Sequence, residues 1–337
     1  MLLIIDGNNV AWAGFHALRK PMGADTPEKK ARAALLGLTQ SVMGLAVRAG
    51  EPPEGGGRRA GQASMFDQPE HRLTRLVVAF DEGRPLRRRG IFPAYQTGRE
   101  GDTAFAENEG FVRDAIARFS ELASLAPMTI LRGENTEADD LIAAAALQAS
   151  EREVRIASTD KDFLQLVGER ITVYATVKKL VIDAVNFTSV VCPRDANGES
   201  VVFPRERYLD YRVASGDASD DLPGIPGVGT LTAARLLAEA PLDAYLDAPE
   251  RATAVLGRKN GRLDAALATG AAGATVQRNR QLMDLRLAAG HYSDLEPYAR
   301  PGSWNEAAFR ELVREMRITG MEIETTVATM ARLAAAR

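Results

Sequence analysis

Three short apolar runs punctuate the first half of the chain, and each stops at an acidic residue. They are 2–5 before Asp6, 76–80 before Asp81, and 154–157 before Ser158-Thr-Asp160. Each run is rich in β-branched residues and almost unbroken, the pattern of a strand covered on both faces. Segments with helical spacing lie between them, over roughly 26–49, 103–126 and 136–149. Strands alternating with helices predict an α/β fold built on a parallel sheet flanked by helices. A further apolar stretch at 130–132 leads into the third helix and is a candidate strand, and 171–175 with 179–183 reads as an edge hairpin.

The segment 51–72 has a different character. Pro52-Pro53, glycines at 55–57 and Arg58-Arg59 predict a flexible insertion. Its Phe66-Asp67 imitates Phe80-Asp81, but no strand-like run precedes it, so it is set aside. From about Pro204 the pattern is mostly helical. A tight Gly/Pro turn, Gly224-Ile-Pro-Gly-Val-Gly229, opens a helix running through 232–239, and short helical patterns continue to 287. A loop at 297–304 and an amphipathic stretch to 337 complete the chain. The expected organisation is a first domain over 1–200, a second over 201–290 and a helical extension over 291–337.

Composition adds limits. The 337 residues are 45% hydrophobic and 26% charged, with 42 Lys+Arg against 45 Asp+Glu and a net charge of −3. These are globular proportions. A single cysteine, Cys192, excludes an intramolecular disulfide and fits a reducing compartment. His16, His71 and His291 lie too far apart to form a local zinc motif. The apolar start is not preceded by a basic region and is cut off by Asp6, and no stretch is long enough to span a bilayer. A cytoplasmic, monomeric protein with no membrane partner is expected.

The chemistry lies in the carboxylates. In an open parallel sheet, ligands bind beyond the carboxyl ends of the strands. Asp6, Asp81 and Asp160 all sit at such ends, and Asp162 follows two residues later. Glu137, Asp139 and Asp140 occupy the first turn of the third helix, where the helix dipole alone gives acidic residues a reason to be. That reason does not account for three strand-end carboxylates on the same rim. Gathered without a cation they would repel or take up protons, and a hard divalent ion with oxygen ligands resolves the conflict. Mg²⁺ or Mn²⁺ suits a site lacking imidazole and thiolate. Asp217 and Asp220 come next, immediately before the Gly-rich turn whose backbone N–H groups form a ready anion site. Carboxylates for metal beside amides for phosphate point to phosphodiester chemistry.

The ordered set Asp6-Gly-Asn-Asn, Ala79-Phe-Asp81, Glu137-Ala-Asp-Asp140, Ser158-Thr-Asp-Lys-Asp162 and Gly216-Asp-Ala-Ser-Asp220 with Gly227-Val-Gly229 resembles the 5′-nuclease family. That family includes flap endonucleases, phage 5′-3′ exonucleases and the 5′-nuclease domain of bacterial DNA polymerase I. The similarity covers roughly residues 1–290, and 278–285 resembles the segment closing the second domain. It implies a PIN-like nuclease domain followed by a helix-three-turn-helix DNA-binding domain. It also implies two Mg²⁺ or Mn²⁺ ions, with Asp6, Asp81, Glu137, Asp139 and Asp140 around one. Asp160, Asp162, Asp217 and Asp220 favour the other. K⁺ is implied in the second-domain turn, and Asp221 stands where the family commonly has Asn.

The resemblance further implies an arch segment over 84–102. Where the family pattern has Tyr-Lys and then Arg, this chain has Tyr95-Gln96 and Arg99, so either Arg99 or one of Arg87, Arg88 and Arg89 supplies the cation that Gln96 cannot, or the enzyme is slower or differently specific. The implied reaction is two-metal hydrolysis of DNA at 5′ flaps, nicks or 5′ ends in replication or repair, with Arg99 neutralising phosphate charge. Gly227, Gly229, Arg235, Arg258 and Lys259 would hold duplex phosphates. Phe15, His16 and Tyr95 are candidates to stack on unpaired bases. A DNA polymerase or a single-strand-binding protein is the expected protein partner.

Three other readings share parts of this pattern. A PIN-type ribonuclease would lack the Gly216–Gly229 module, and a haloacid-dehalogenase-like phosphatase needs an Asp-x-Asp pair that Asp6-Gly-Asn does not provide. A non-catalytic protein gripping branched DNA would have no need of the intact carboxylate set. Setting aside the nine assigned carboxylates moves the net charge from −3 to +6. The stretches 84–99, 205–212 and 258–262 thus become candidate DNA-facing surfaces, with binding that weakens as salt rises.

Overall fold

A computed structural model of the chain describes residues 1–50, 72–101 and 103–336. The expected insertion, with its Phe66-Asp67, falls almost wholly outside the described residues.

Among the described residues the central sheet has seven strands, in the order β6 (Leu180–Ile182), β5 (Ile171–Ala175), β4 (Val154–Ala157), β1 (Leu2–Asp6), β2 (Arg75–Ala79), β3 (Thr129–Leu131) and β9 (Ala299–Pro301). Its centre, β1 to β5, is parallel. β6 pairs antiparallel with β5, forming the expected edge hairpin. The unbroken apolar runs follow from burial on both faces. Leu2 and Ile4 of β1 enter one core, while Leu3 and Ile5 enter the other, as the two-residue period of a strand requires.

One face is covered by α1 (Gly7–Arg19), α2 (Pro27–Gly50) and α4 (Thr103–Ser124). α1 and α2 cross at their glycines. A Cβ on Gly37 would stand 2.4 Å from the carbonyl carbon of Gly14, so the two backbones meet with no room for a side chain. The other face is covered by α5 (Ala138–Gln148), whose alanine run 143–146 is buried. α3 (Leu86–Ile91) is a single short helix after β2, and α6 (Phe187–Val191) follows the edge hairpin.

Beyond Pro204 the chain is almost entirely helical: α7 (Tyr208–Ser215), α8 (Thr230–Glu239), α9 (Asp243–Asp247), α10 (Glu250–Leu256), α11 (Gly261–Ala268), α12 (Ala271–Met283) and α13 (Leu285–Ala289). A two-stranded ribbon of β7 (Gly216–Asp217) and β8 (Leu222–Pro223) brackets the acidic turn. This helical unit shares its core with α5, and it packs as well on the 162–166 turn and on α3. Within the unit, buried Asn279 ties α12 to α7 and β8 by donating to the carbonyls of Val213 and Pro223, both at 3.0 Å. Gln165 does the same across the junction, donating to Met283 O at 2.9 Å and accepting from Leu285 N–H at 3.0 Å.

The loop expected at 297–304 instead carries a strand, β9 (Ala299–Pro301), antiparallel to β3. Three residues ending in proline give no strand pattern to read, and an edge position tolerates the missing donor. Helices α14 (Glu306–Glu315) and α15 (Ile323–Ala335) then add Phe309, Val313, Val327, Met330 and Leu333 to the α1/α2/α4 core. Among the described residues, no helix is long and apolar enough to cross a membrane.

Gly37→Ala drives a methyl into the Gly14 backbone, and overpacking of this kind costs about 1–3 kcal/mol. Urea unfolding should show that loss with an unchanged slope; an unaltered midpoint would mean that the helices separate freely at this crossing.

Candidate metal centre and nucleic-acid interface

The carboxyl ends of β1, β2 and β4 and the first turn of α5 meet at one rim of the sheet. Asp6 closes β1 and caps α1: its Oδ1 accepts from Asn9 N–H at 3.0 Å, and its Oδ2 accepts from the Ser158 hydroxyl at 2.7 Å. Asp81, two residues past β2, caps α5 from outside by accepting from Ala138 N–H at 2.7 Å. Its own N–H donates to Asn8 Oδ1 at 3.1 Å. Asp160 accepts from Asp162 N–H at 2.7 Å, and its N–H donates to Ser158 Oγ at 3.0 Å. The strand ends are thus tied to one another by the acidic residues and by Asn8, Asn9 and Ser158.

Electrostatics confirm the crowding. Burial pushes the Asp6 carboxyl up to about 7 against the pull of Asn9 and Ser158, and Asp81 and Asp160 push the same way. Burial also holds Asp139 well above the usual carboxylate range, with Asp160, Asp6, Asp81 and Glu137 adding to it. Glu137 is raised to about 7, again chiefly by burial, which outweighs the favourable Arg88. These groups repel one another across a shared space, and the donor set is entirely carboxylate oxygen. That is the chemistry of a hard divalent cation site.

A second acidic group lies beside the first. Asp162, Asp217 and Asp220 offer oxygens within 4.8 Å of one another. Arg212 of α7 donates to Asp162 Oδ1 at 2.9 Å and also to Asp217 Oδ2. Burial pushes Asp162 up to about 7 despite that partner. Burial acts likewise on Asp217, but the Ser219 hydroxyl and Arg212 together carry it below the usual range. Ser219 donates to Asp217 Oδ1 through both its N–H, at 2.9 Å, and its hydroxyl, at 2.6 Å.

The segment 84–98 runs across both groups, and several of its residues are placed differently from expectation. Arg88 does not face outward: its guanidinium is buried, donating to Glu137, to Asp140 Oδ1 at 2.6 Å and to the Leu282 carbonyl at 2.9 Å. Two buried carboxylates outcompete solvent for it. Arg87 donates to Asp140 Oδ2 at 3.2 Å. Tyr95 is buried as well, with its hydroxyl donating to Glu137 Oε1 at 3.2 Å, so its ring offers no open face for a base. Gln96 adopts φ 56° and donates to Asp220 Oδ1 at 2.9 Å and to the Tyr95 hydroxyl at 3.1 Å. Asp221, also left-handed at φ 56°, accepts from Gly98 N–H at 2.7 Å. The side chain of Arg99 lies outside the described residues.

Further from the rim, Phe15 is fully buried in the core and unavailable for stacking, whereas His16 is exposed beside Trp12. Trp12 was not singled out by sequence, yet it stacks on Phe105 of α4 with ring centroids 4.8 Å apart. Its signal is helical spacing: Trp12 stands three residues after Asn9, which itself bonds Thr159 beside Asp160. In the second unit, Gly227 has φ 83° and a Cβ there would meet Asn260 Oδ1 at 2.7 Å. Asn260 donates to the Gly227 carbonyl at 2.8 Å and caps α11. Gly229 opens α8 with no side-chain cap, and Arg235, Arg258 and Lys259 are exposed. Arg212, within the expected DNA-facing 205–212 stretch, is instead committed to the carboxylates.

A family described as the 5′-3′ exonuclease N-terminal resolvase-like domain matches residues 62–191. The chain is 31% identical over 292 residues to DNA polymerase I of Mycobacterium tuberculosis, across 84% of this chain and 27% of that one. It is 30% identical over 240 residues to the thermostable DNA polymerase I of Thermus filiformis, across 71% and 24% respectively. The chain therefore spans about a quarter of the length of the curated relatives it matches. Among solved structures, the fold is similar to the bacteriophage T5 flap endonuclease in a pseudo-enzyme-product complex with DNA and metal ions. The TM-score is 0.58 at 14% identity, covering 96% of this chain and 98% of that one. The T5 5′-exonuclease with bound zinc gives 0.58 at 15% identity, covering 94% and 98%.

Two outcomes follow from the rim. Raised folded-state values for Asp6, Glu137 and Asp162 mean that the folded chain binds protons more tightly than the unfolded one between about pH 4 and 7. In EDTA, Tm should fall as pH rises through that window, and saturating Mn²⁺ should flatten or reverse the trend because it replaces those protons. A Tm in EDTA that climbs with pH would contradict the crowding. Arg88→Ala leaves Glu137 and Asp140 without their buried counter-charge, a loss on the order of 3–5 kcal/mol readable by chemical denaturation. A change under 1 kcal/mol would show the pair to be solvated.

Proposed function

The chain belongs to the 5′-nuclease family, and on that footing we propose that it is a structure-dependent 5′ nuclease, acting on DNA at 5′ flaps, nicks and 5′ ends as a 5′-3′ exonuclease and flap endonuclease. The observation that carries this reading is the gathering of carboxylates from three strand ends, α5 and the 217–220 turn at one rim, followed in the chain by a glycine turn that opens α8 with no side-chain cap.

Residues 1–200 form the PIN-like catalytic domain in this reading, 201–290 the helix-three-turn-helix module, and 291–337 an extension that completes the sheet and its flanking layer. Asp6, Asp81, Glu137, Asp139 and Asp140 would hold one Mg²⁺ or Mn²⁺, with Asp160, Asp162, Asp217 and Asp220 favouring a second. Bound there, the pair supplies a water of lowered pKa and a Lewis acid for the leaving oxygen.

The protein's own part is positional. Ser158 and the Asn9 amide fix both oxygens of Asp6, and Asp81 is fixed against the α5 amide, so these ligands keep their geometry without substrate. Tyr95 holds Glu137 and Gln96 holds Asp220. Because Arg88 is committed to Glu137 and Asp140, and Arg87 also pairs with Asp140, Arg99 is the cation proposed to meet phosphate. The Gly227–Gly229 turn, with Arg235, Arg258 and Lys259, grips duplex phosphates away from the cut, and its carbonyls would hold K⁺. The chemistry suits a cytoplasmic monomer working beside a DNA polymerase or a single-strand-binding protein.

A fluorescent 5′-flap and a nicked duplex assayed with Mg²⁺ and with EDTA decide the matter. Metal-dependent release of a labelled 5′ product from either is expected. Absence of cleavage on both with DNA still bound would leave a branched-DNA-binding protein, and equal cutting of single-stranded RNA would mean a ribonuclease. Asp160→Asn removes a metal ligand worth several kcal/mol of transition-state stabilisation, so the rate should fall on the order of 10³-fold with DNA affinity retained. Normal cutting by that variant would show the assigned centre to be wrong.

A further inference from the structure

The nuclease reading above treats the carboxylates as a metal site but gives no role to the guanidinium lodged among them. Arg212 projects from the last turn of α7 into the Asp162, Asp217 and Asp220 group. It donates to Asp162 Oδ1 at 2.9 Å and to Asp217 Oδ2. Its side chain is 11% exposed, and those of Asp162 and Asp217 are 15% and 16% exposed. Its neighbourhood is fixed as well. The Tyr208 hydroxyl, from the preceding turn of the same helix, donates to the Lys161 carbonyl at 3.1 Å, which joins α7 to the 160–162 segment.

The oxygens of the three carboxylates stand close enough to share one hard cation, and Arg212 engages one oxygen from each of two of them. A divalent ion entering there either shares those oxygens with a guanidinium or turns it away, and in both cases it meets a fixed positive charge at short range. We infer that Arg212 is a resident counter-cation of the second ion position, a positioning residue that keeps Asp162 and Asp217 from repelling each other in the ion-free protein and lowers the affinity of that position for a divalent ion. The inference rests on the two-ion reading.

The consequence is an ordered loading. The ion held by the Asp6 and Asp139 side of the rim binds first, and the second is admitted when a substrate phosphate adds the negative charge that offsets Arg212. The free protein then holds an incompletely charged centre, which limits hydrolysis to bound DNA.

Calorimetric titration of the full chain with MnCl2 in the absence of DNA tests this. Wild type should show a tighter and a weaker step. In Arg212→Gln, which keeps hydrogen-bonding capacity but not charge, the weaker step should tighten by about tenfold, while the tighter step stays within about twofold. Arg212→Lys, which keeps the charge, should leave both steps within about twofold of wild type. A thermal readout accompanies the titration: Arg212→Gln should melt lower than wild type in EDTA and gain more from saturating Mn²⁺, since binding restores the missing counter-charge.

An unchanged or weaker second step in Arg212→Gln would overturn the inference, as would tightening of similar size in Arg212→Lys. Should Arg212→Gln be unfolded in EDTA, failure of Mn²⁺ to restore a cooperative melt would also overturn it. A wild-type chain that binds a single Mn²⁺, even with a 5′-flap DNA present, would instead remove the two-ion reading itself.

Discussion

The mutual repulsion of carboxylates gathered at the carboxyl rim of the sheet is the constraint around which the rest of the protein is arranged. Burial raises the proton affinity of Asp6, Asp139 and Glu137, and the charge of Asp81 adds to all three. Such a cluster is costly to fold unless protons, protein cations or metal ions compensate it. This chain supplies two buried guanidinium groups of its own. Arg88 from the segment after β2 joins Glu137 and Asp140, and Arg212 from the helical unit joins Asp162 and Asp217. The cations come from outside the sheet, so neutralising the rim also draws the crossing segment and the second unit onto it.

α5 is the mechanical counterpart of that electrostatic arrangement. Its first turn carries Asp139 and Asp140, its alanine-rich body lies on the sheet, and its outer side shares a core with α7, α12 and α13. Small side chains on such a helix let layers approach closely on both sides. Arg88 adds a polar counterpart by linking Glu137 and Asp140 to the Leu282 carbonyl at the end of α12. The position of the helical unit and the shape of the acidic centre are therefore set by the same helix.

Much of this was legible in the chain. The continuous apolar runs before Asp6, Asp81 and Asp160 gave strands buried on both faces because a parallel sheet with two helical layers allows no polar alternation. The acidic positions were readable as well, since strand ends and a helix start are fixed by local pattern. What stayed hidden depends on long-range partners. The inward turn of Arg88 could not be read from an Arg-Arg-Arg-Gly run that is equally suited to solvent. Arg212 looked like part of a basic surface stretch, because nothing local announces two carboxylates 50 and 5 residues away. Trp12 and Phe105 meet only because α1 and α4 pack on the same face of the sheet. β9 has too few residues to show any periodicity.

That last strand bears on how the protein comes to be folded. β3 ends at Leu131 and its outer neighbour begins at Ala299, so this edge stays unpaired until the chain has passed the entire helical unit. During synthesis the open edge of β3 is a template for pairing with other chains for as long as the intervening residues take to emerge. The late arrival of 299–301 closes that edge and leaves a proline on the outermost strand, where it cannot donate to a stranger. A segment that reads as a loop in the sequence thus protects the sheet from aggregation once folding is complete.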